Sequence, residues 1–234
     1  MGFKGNNLSA HHRNENSATD FKNANGGILG DSQFTFNYLL KNTGAGDGYR
    51  IILGGGVNIP SKNKLTKSPF IVVDNSYEPH RHFSMSKGTY NTISEIQIYY
   101  KQSANPVFIG GNISYEVPIA ENEYYYLPQT SLKSIFSVIY KRFDKLDGSL
   151  DLSFGIESLS EEYWNGVPSP NSSALIITPS IGYLFGTKKG AIGINVQRPI
   201  FVEGSFSAYA GDMNQGTSVW QIVLSFRSMA AKLN

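Results

Sequence analysis

Residues 31–60 alternate strictly between apolar and polar side chains on either side of a short turn rich in Gly and Asp. The apolar positions are Phe34, Phe36, Tyr38 and Leu40 before the turn, and Tyr49, Ile51, Leu53, Val57 and Ile59 after it. Because successive side chains of a strand point to opposite faces, each arm has one apolar face and one polar or glycine face. The pattern predicts an antiparallel β-hairpin.

The same alternation returns seven more times along the chain. It covers residues 91–101, 107–118, 132–143, 150–157, 175–185, 192–197 and 220–227. An Asp147-Gly148 pair, which is typical of tight hairpin turns, joins the third and fourth of these segments. The chain is therefore predicted to be all-β, with nine strands and with neither an amphipathic helix nor a βαβ crossover.

The predicted connections alternate between short and long. Four are turns of about 4 to 8 residues and four are longer loops, which is typical of outer-membrane β-barrels with short periplasmic turns and long extracellular loops. Each strand has about 10 to 12 residues, the length that a tilted strand needs to cross a bilayer. The fold predicted is an antiparallel up-and-down transmembrane β-barrel.

Side-chain size separates the two predicted faces. Glycines fall on the polar face, at Gly54, Gly56, Gly110, Gly155, Gly182 and Gly193. Aromatic residues fall on the apolar face, several near strand ends, at Tyr38, Tyr49, Tyr100, Tyr115, Tyr140, Tyr183 and Trp220. A soluble β-sandwich has no use for glycine on its solvent face, whereas a narrow barrel needs small residues inside and an aromatic girdle outside.

The composition agrees with a membrane barrel and excludes several other classes. Mean hydropathy is only −0.24, which a barrel tolerates because half of each strand faces a polar lumen. The sequence has no run of about 18 apolar residues, so no transmembrane helix is predicted. The absence of cysteine excludes disulfides and thiolate metal sites, and a net charge of +2 gives no reason to expect a nucleic-acid partner. No cofactor is predicted.

Strand parity leads to an expectation about the ends of the chain. If the short turns are periplasmic, the strand that starts at Asp31 begins outside the cell, and nine strands cannot close with both ends in the periplasm. Residues 1–30 are polar and lack the layout of a secretory signal. We expect an extracellular segment at 1–30, a barrel at 31–227 and a tail at 228–234. A signal peptide and a tenth strand would precede Met1, giving a barrel of about ten (8–12) strands.

Several motifs resemble the outer-membrane proteins of the phenol meta-degradation pathway type, a family of transporters for hydrophobic compounds. They are GGILGDSQFTFNYLL at residues 26–40, Val57–Pro60, His82 with Ser86–Thr89, ITPSIGYLF at 177–185 and GINVQRPIF at 193–201. The chain departs from the family at its N-terminus and in the loop around 204–209. The resemblance implies a porin-like channel or transporter in the outer membrane of a Gram-negative bacterium.

The polar residues of the inward face are the candidate functional residues. They are Arg50, Asn58, Glu95, Gln97, Tyr99, Lys101, Asn112, Glu116, Lys141, Asp151, Glu157, Asn195, Gln197 and Arg227. In a confined interior such residues either plug the barrel or line a route that sorts solutes by charge and size.

Two functions follow from these alternatives. The first is a channel or transporter for small hydrophobic or amphipathic molecules, surrounded by outer-membrane lipid and lipopolysaccharide. The second is a plugged structural barrel that anchors a surface assembly and contacts partners through the loops at 61–89 and 199–216.

A minor alternative concerns the loop that holds His80 and His82. The two histidines, with Met85, are weak candidates for a metal site. With Ser84 or Ser86 and Glu78, they could serve a membrane-embedded acyl hydrolase. Sequence proximity in a loop does not supply catalytic geometry, so no catalytic residue is assigned and the chain is predicted not to be an enzyme.

Overall fold

The structure is a computed structural model that describes residues 12–14, 17–19, 30–44, 46–62, 64, 86–102, 107–140, 148–170, 172–187, 190–204 and 219–228. The regular elements of this part of the chain are all β-strands. Its described residues contain no helix long and apolar enough to cross a membrane. Lys141, His80 and His82 lie outside these ranges.

Fifteen strands are present in the described residues. They are β1 (His12–Asn14), β2 (Ser17–Thr19), β3 (Ser32–Asn42), β4 (Gly48–Ile59), β5 (Asn91–Gln102), β6 (Val107–Pro118), β7 (Tyr126–Leu127), β8 (Ser131–Tyr140), β9 (Gly148–Leu159), β10 (Tyr163–Trp164), β11 (Val167–Pro168), β12 (Ala174–Thr187), β13 (Gly190–Gln197), β14 (Ile200–Glu203) and β15 (Gln221–Ser228).

The long strands form one sheet in the order β15-β13-β12-β9-β8-β6-β5-β4-β3, and β14 continues the line of β13 along β12. Every neighbouring pair is antiparallel. The break between β13 and β14 falls at Arg198-Pro199, because a proline has no N–H for the ladder. The predicted all-β class and the predicted meander of nine strand positions are confirmed.

The two outer strands of this sheet are edges. Within the described residues, β3 pairs only with β4 and β15 only with β13, so the sheet is open and closure into a barrel is not seen. The edge strands β3 and β15 run in the same direction, because they are the first and last of nine antiparallel strand positions.

The sheet has an inverted distribution of polar and apolar side chains. Large apolar residues are exposed on one face, up to 73% for Phe36 and Leu224. Among the described residues, only Ile93 and Trp164 are buried apolar side chains. The buried polar side chains are Ser86, Thr89, Asn91, Ser137, Ser149, Glu162, Ser169 and Ser172. The interior of this molecule is therefore polar and its outer surface apolar.

The two ends of the strands differ. Short connections leave β3, β5, β8 and β12 at one end, here called the short-turn end. The longer connections lie at the opposite long-loop end. There β7, β10 and β11 form a three-stranded antiparallel sheet, here called the cap sheet. The long loops predicted at this end thus contain regular structure of their own.

The segment at 1–30 also contains regular structure, which the sequence pattern did not indicate. β1 and β2 pair as a short antiparallel hairpin in which His12 lies opposite Thr19. Arms of three residues are too short for a period of two to be visible in the sequence.

Candidate functional site: the polar face of the sheet

A row of polar residues crosses the sheet at one level of the strand register. Directly paired neighbours in this row, from β5 to β15, are Tyr99, Gly110, Ser137, Ser153, Ser180, Gln197 and Gln221. Because residues paired in register lie on the same face, the row is continuous over seven strands. It forms the middle of the candidate site.

The row borders a cavity of about 470 Å³ that has residues of β5 on one side and residues of β15 on the other. Tyr99 and Gln221 both line it. In a flat sheet, six strand spacings of about 4.8 Å would separate these two strands by about 29 Å. The sheet must therefore curve around the cavity with its polar face inside.

Hydrogen bonds join several cavity side chains. The hydroxyl oxygens of Ser153 and Ser180 lie 2.6 Å apart, and Asn195 Nδ2 donates to Ser180 Oγ at 3.5 Å. Lys133 Nζ lies 3.9 Å from Glu157 Oε2. These contacts connect β8 to β9 and β9 to β13 across β12, so they hold the curved wall together from inside.

Gly182 separates two cavity residues that have unsatisfied oxygen atoms. It is paired with Asp151 on one side and Asn195 on the other. A β-carbon at Gly182 would lie 2.9 Å from Asn195 Nδ2, so the glycine leaves room for the amide to lean over it. Asp151 Oδ1 and Asn195 Oδ1 are shielded from solvent and have no hydrogen-bond partner among the described residues.

A second polar cluster surrounds Glu116 near the long-loop end. Glu116 Oε1 accepts hydrogen bonds from Asn58 Nδ2 at 3.0 Å, Lys87 Nζ at 2.9 Å and Asn91 Nδ2 at 2.6 Å. The Asp31 carboxylate accepts from the backbone N–H of Lys87 at 3.1 Å. The segment 86–89 is thereby held against the polar face, where Ser86 and Thr89 are buried.

A buried carboxylate lies next to the cap sheet, at the residue before β10. Glu162 is fully buried and accepts a hydrogen bond from the Tyr126 hydroxyl at 2.9 Å, while its backbone N–H donates to Ser172 Oγ at 3.0 Å. The rings of Tyr126 and Trp164 are tilted by 30° to each other, with centroids 4.6 Å apart. Nearby, a hydrogen bond to Glu161 raises the pKa of the exposed Tyr163 hydroxyl.

Most predicted site residues lie on the polar face. Those that are half-buried there are Asn58, Glu95, Gln97, Tyr99, Lys101, Asn112, Glu116, Asp151, Glu157, Asn195 and Gln197. Arg50 is paired with Tyr99 but is exposed near the short-turn end. Arg227 has its backbone in β15 opposite Ala191.

Sequence reasoning missed several residues of the site. The serines of the polar row and Lys133 share the predicted face but were not among the candidates, because a serine in a strand is an ordinary surface residue by sequence. Lys87 was missed because it lies in a loop 29 residues before its partner Glu116. Asn165-Gly166, a strong hairpin signal, was available in the sequence and marks the turn of the cap sheet, where both residues have positive φ.

The described residues contain no group of three or more His, Cys, Asp or Glu side chains placed to hold a metal ion. Of the residues named for the metal site and the acyl hydrolase, His80, His82, Met85, Ser84 and Glu78 lie outside the described residues. Ser86 is buried, and its hydroxyl accepts a hydrogen bond from the backbone N–H of Gly88 at 2.9 Å.

Comparison with models of known protein families gives no match, and no curated protein is significantly similar to the chain.

Proposed function

We propose that this chain forms the wall of a β-barrel in the bacterial outer membrane and that its polar interior passes small solutes. The observation that carries this proposal is the inverted distribution of side chains. A sheet with exposed Phe, Leu and Ile on its convex face and polar residues on its concave face would expose a large apolar surface to water. The same surface is the normal exterior of a barrel in lipid.

The size of the apolar face supports this proposal. Outward-facing residues of β4 run from Tyr49 to Ile59, about 34 Å along the strand at about 3.4 Å per residue. At the tilt of about 40° that such barrels adopt, this length corresponds to about 26 Å, close to the height of the apolar band in outer-membrane barrels.

Aromatic residues border the apolar face at both ends. Near the short-turn end, the rings of Tyr49 and Tyr100 lie 5.2 Å apart. Near the long-loop end, the Arg198 guanidinium lies 5.5 Å from the centroid of the exposed Trp220 ring. Rings of this kind are amphipathic and favour the level of the lipid headgroups.

The proposal requires the edges β3 and β15 to be joined, either directly or through a further strand. In hydrocarbon, each unpaired backbone N–H or C=O costs several kcal/mol, so no edge stays open there.

The volume and the lining of the cavity determine which solutes it can admit. A space of about 470 Å³, lined by hydroxyl, amide and charged groups together with apolar side chains such as Ile135, Ile176 and Phe201, admits small molecules. Such a lining favours amphipathic or polar solutes over purely hydrophobic ones, because a buried polar lining without hydrogen-bond partners is costly.

Planar-bilayer recording of the purified, refolded protein tests conduction. We expect discrete conductance steps, and swelling of proteoliposomes in small sugars or amino acids but not in large oligosaccharides. Empty liposomes and heat-denatured protein are the controls. A folded, membrane-inserted protein that passes neither ions nor small solutes would reject the channel.

A second candidate, a plugged structural barrel, is favoured by the position of residues 86–89. Lys87 reaches from this segment to Glu116 and narrows the interior at the long-loop end. If the segment only constricts a channel, Lys87→Ala should raise an existing conductance. If it plugs the barrel, the wild type should conduct nothing and Lys87→Ala should open it. Lys62→Ala, which removes an exposed lysine at the same end, should leave the conductance unchanged in either case.

A further inference from the structure

We infer that the cavity bordered by the polar row selects cationic solutes, with Asp151 as the residue that attracts them. This inference rests on the proposed conducting role, because it names the class of solute that the same interior would admit. Its basis is the charge of the cavity and the arrangement of groups around Gly182.

The charges that line the cavity do not cancel. Within the described part of the chain, the lining contains two carboxylates, Asp151 and Glu157, and one ammonium group, that of Lys133. Lys133 lies 3.9 Å from Glu157. Among the described residues, Asp151 therefore has no ion pair, and its Oδ1 atom is shielded from solvent.

The neighbours of Asp151 favour a donor-rich or positively charged guest. Asn195, on the far side of Gly182, has an oxygen without a hydrogen-bond partner among the described residues. Ser153, two residues along the same face of β9, contributes a hydroxyl that can accept a hydrogen bond. Together, one carboxylate and two neutral oxygen groups are acceptors that an ammonium group or a small hydrated cation would satisfy.

An introduced cysteine can measure this preference without requiring a current. The chain contains no cysteine, so Ser153→Cys, an almost isosteric change, places one thiol beside Asp151. We would compare its rates of modification by the cationic reagent trimethylammonium-ethyl methanethiosulfonate and the anionic reagent sulfonatoethyl methanethiosulfonate, each normalised to its rate with a free thiol.

We expect the cationic reagent to react at least about tenfold faster, because an excess of negative charge in a cleft raises the local concentration of cations. Asp151→Asn in the Ser153→Cys background should remove most of this ratio. Glu121→Gln, which removes an exposed carboxylate at the long-loop end, should preserve it. Raising the salt concentration should shrink the ratio in the Ser153→Cys protein.

The outcomes separate this inference from the proposed channel. A ratio near one in a conducting protein, a ratio that Asp151→Asn does not change, or a thiol that neither reagent reaches in the folded state would overturn the inference. A high ratio that depends on Asp151 in a protein without conductance would support the cation preference and reject conduction.

Discussion

Gly110 shows how closely the backbones of this sheet approach one another. Its neighbours across the ladder are Tyr99 on β5 and Ser137 on β8. A β-carbon at Gly110 would overlap the carbonyl oxygen of Ile98 and lie 2.7 Å from the Tyr99 Cα. Gly155, on the same face of β9, would meet nothing closer than 3.6 Å. The two glycines are thus alike in sequence context but unlike in space.

Gly110→Ala should therefore destabilise the protein by about 1–3 kcal/mol, since the added methyl group forces backbone shifts. Gly155→Ala should be neutral or stabilising by up to about 1 kcal/mol, because alanine loses less conformational freedom on folding than glycine does. The free energy of unfolding from urea titrations in detergent or lipid measures both. Equal destabilisation by the two substitutions would contradict the close approach at Gly110.

Two of the loops are joined by an ion pair at the long-loop end. Lys64 Nζ, from the connection after β4, lies 2.6 Å from Glu123 Oε1, from the turn after β6. The ring centroid of Tyr124, the residue after Glu123, lies 5.2 Å from the same ammonium group. The hydrogen bond from Lys64, together with its positive charge, holds the pKa of the Glu123 carboxyl below its ordinary value.

The sign of the pH dependence follows from this lowered pKa. The pair is fully formed above the ordinary glutamate pKa of about 4.3 and is lost as the pH falls through the lowered pKa of the folded state. We expect an NMR titration of the Glu123 carboxyl to show a midpoint below that of the same group in Lys64→Met. Since Glu123 is exposed, the effect on global unfolding should be small. Identical midpoints in the two proteins would show that the ion pair does not persist in solution.

The inverted distribution of side chains gives the whole molecule two distinguishable tryptophans. Trp220 is 65% exposed at the edge of the apolar face, whereas Trp164, in β10 of the cap sheet, is 5% exposed. If the apolar face contacts lipid, only Trp220 is within reach of a quencher carried on acyl chains.

Brominated lipids should therefore quench a large part of the fluorescence of the wild-type protein in vesicles and much less of that of Trp220→Phe, which retains only Trp164. Steady-state fluorescence in brominated and unbrominated vesicles provides the measurement. Equal fractional quenching in the two proteins, once insertion has been verified, would argue against a lipid-facing location for Trp220.

The local pattern of the chain was sufficient to predict the nine long strand positions, their antiparallel order and the polar-face location of most candidate residues. A period of two is a property of adjacent residues, and each strand position here pairs with the one before it in the sequence. For this reason Asn58, Glu95, Asn112 and Asp151 could be placed on the polar face in advance.

The curvature, the cavity and the buried contacts could not be predicted in the same way, because they depend on groups far apart in the chain. Tyr99 and Gln221 line one space only after the sheet bends. Lys87 contacts Glu116, and Glu162 becomes buried, only after the long loops fold back onto the sheet. Alternation fixes which way a side chain points, whereas the groups that it meets are fixed by packing between distant segments.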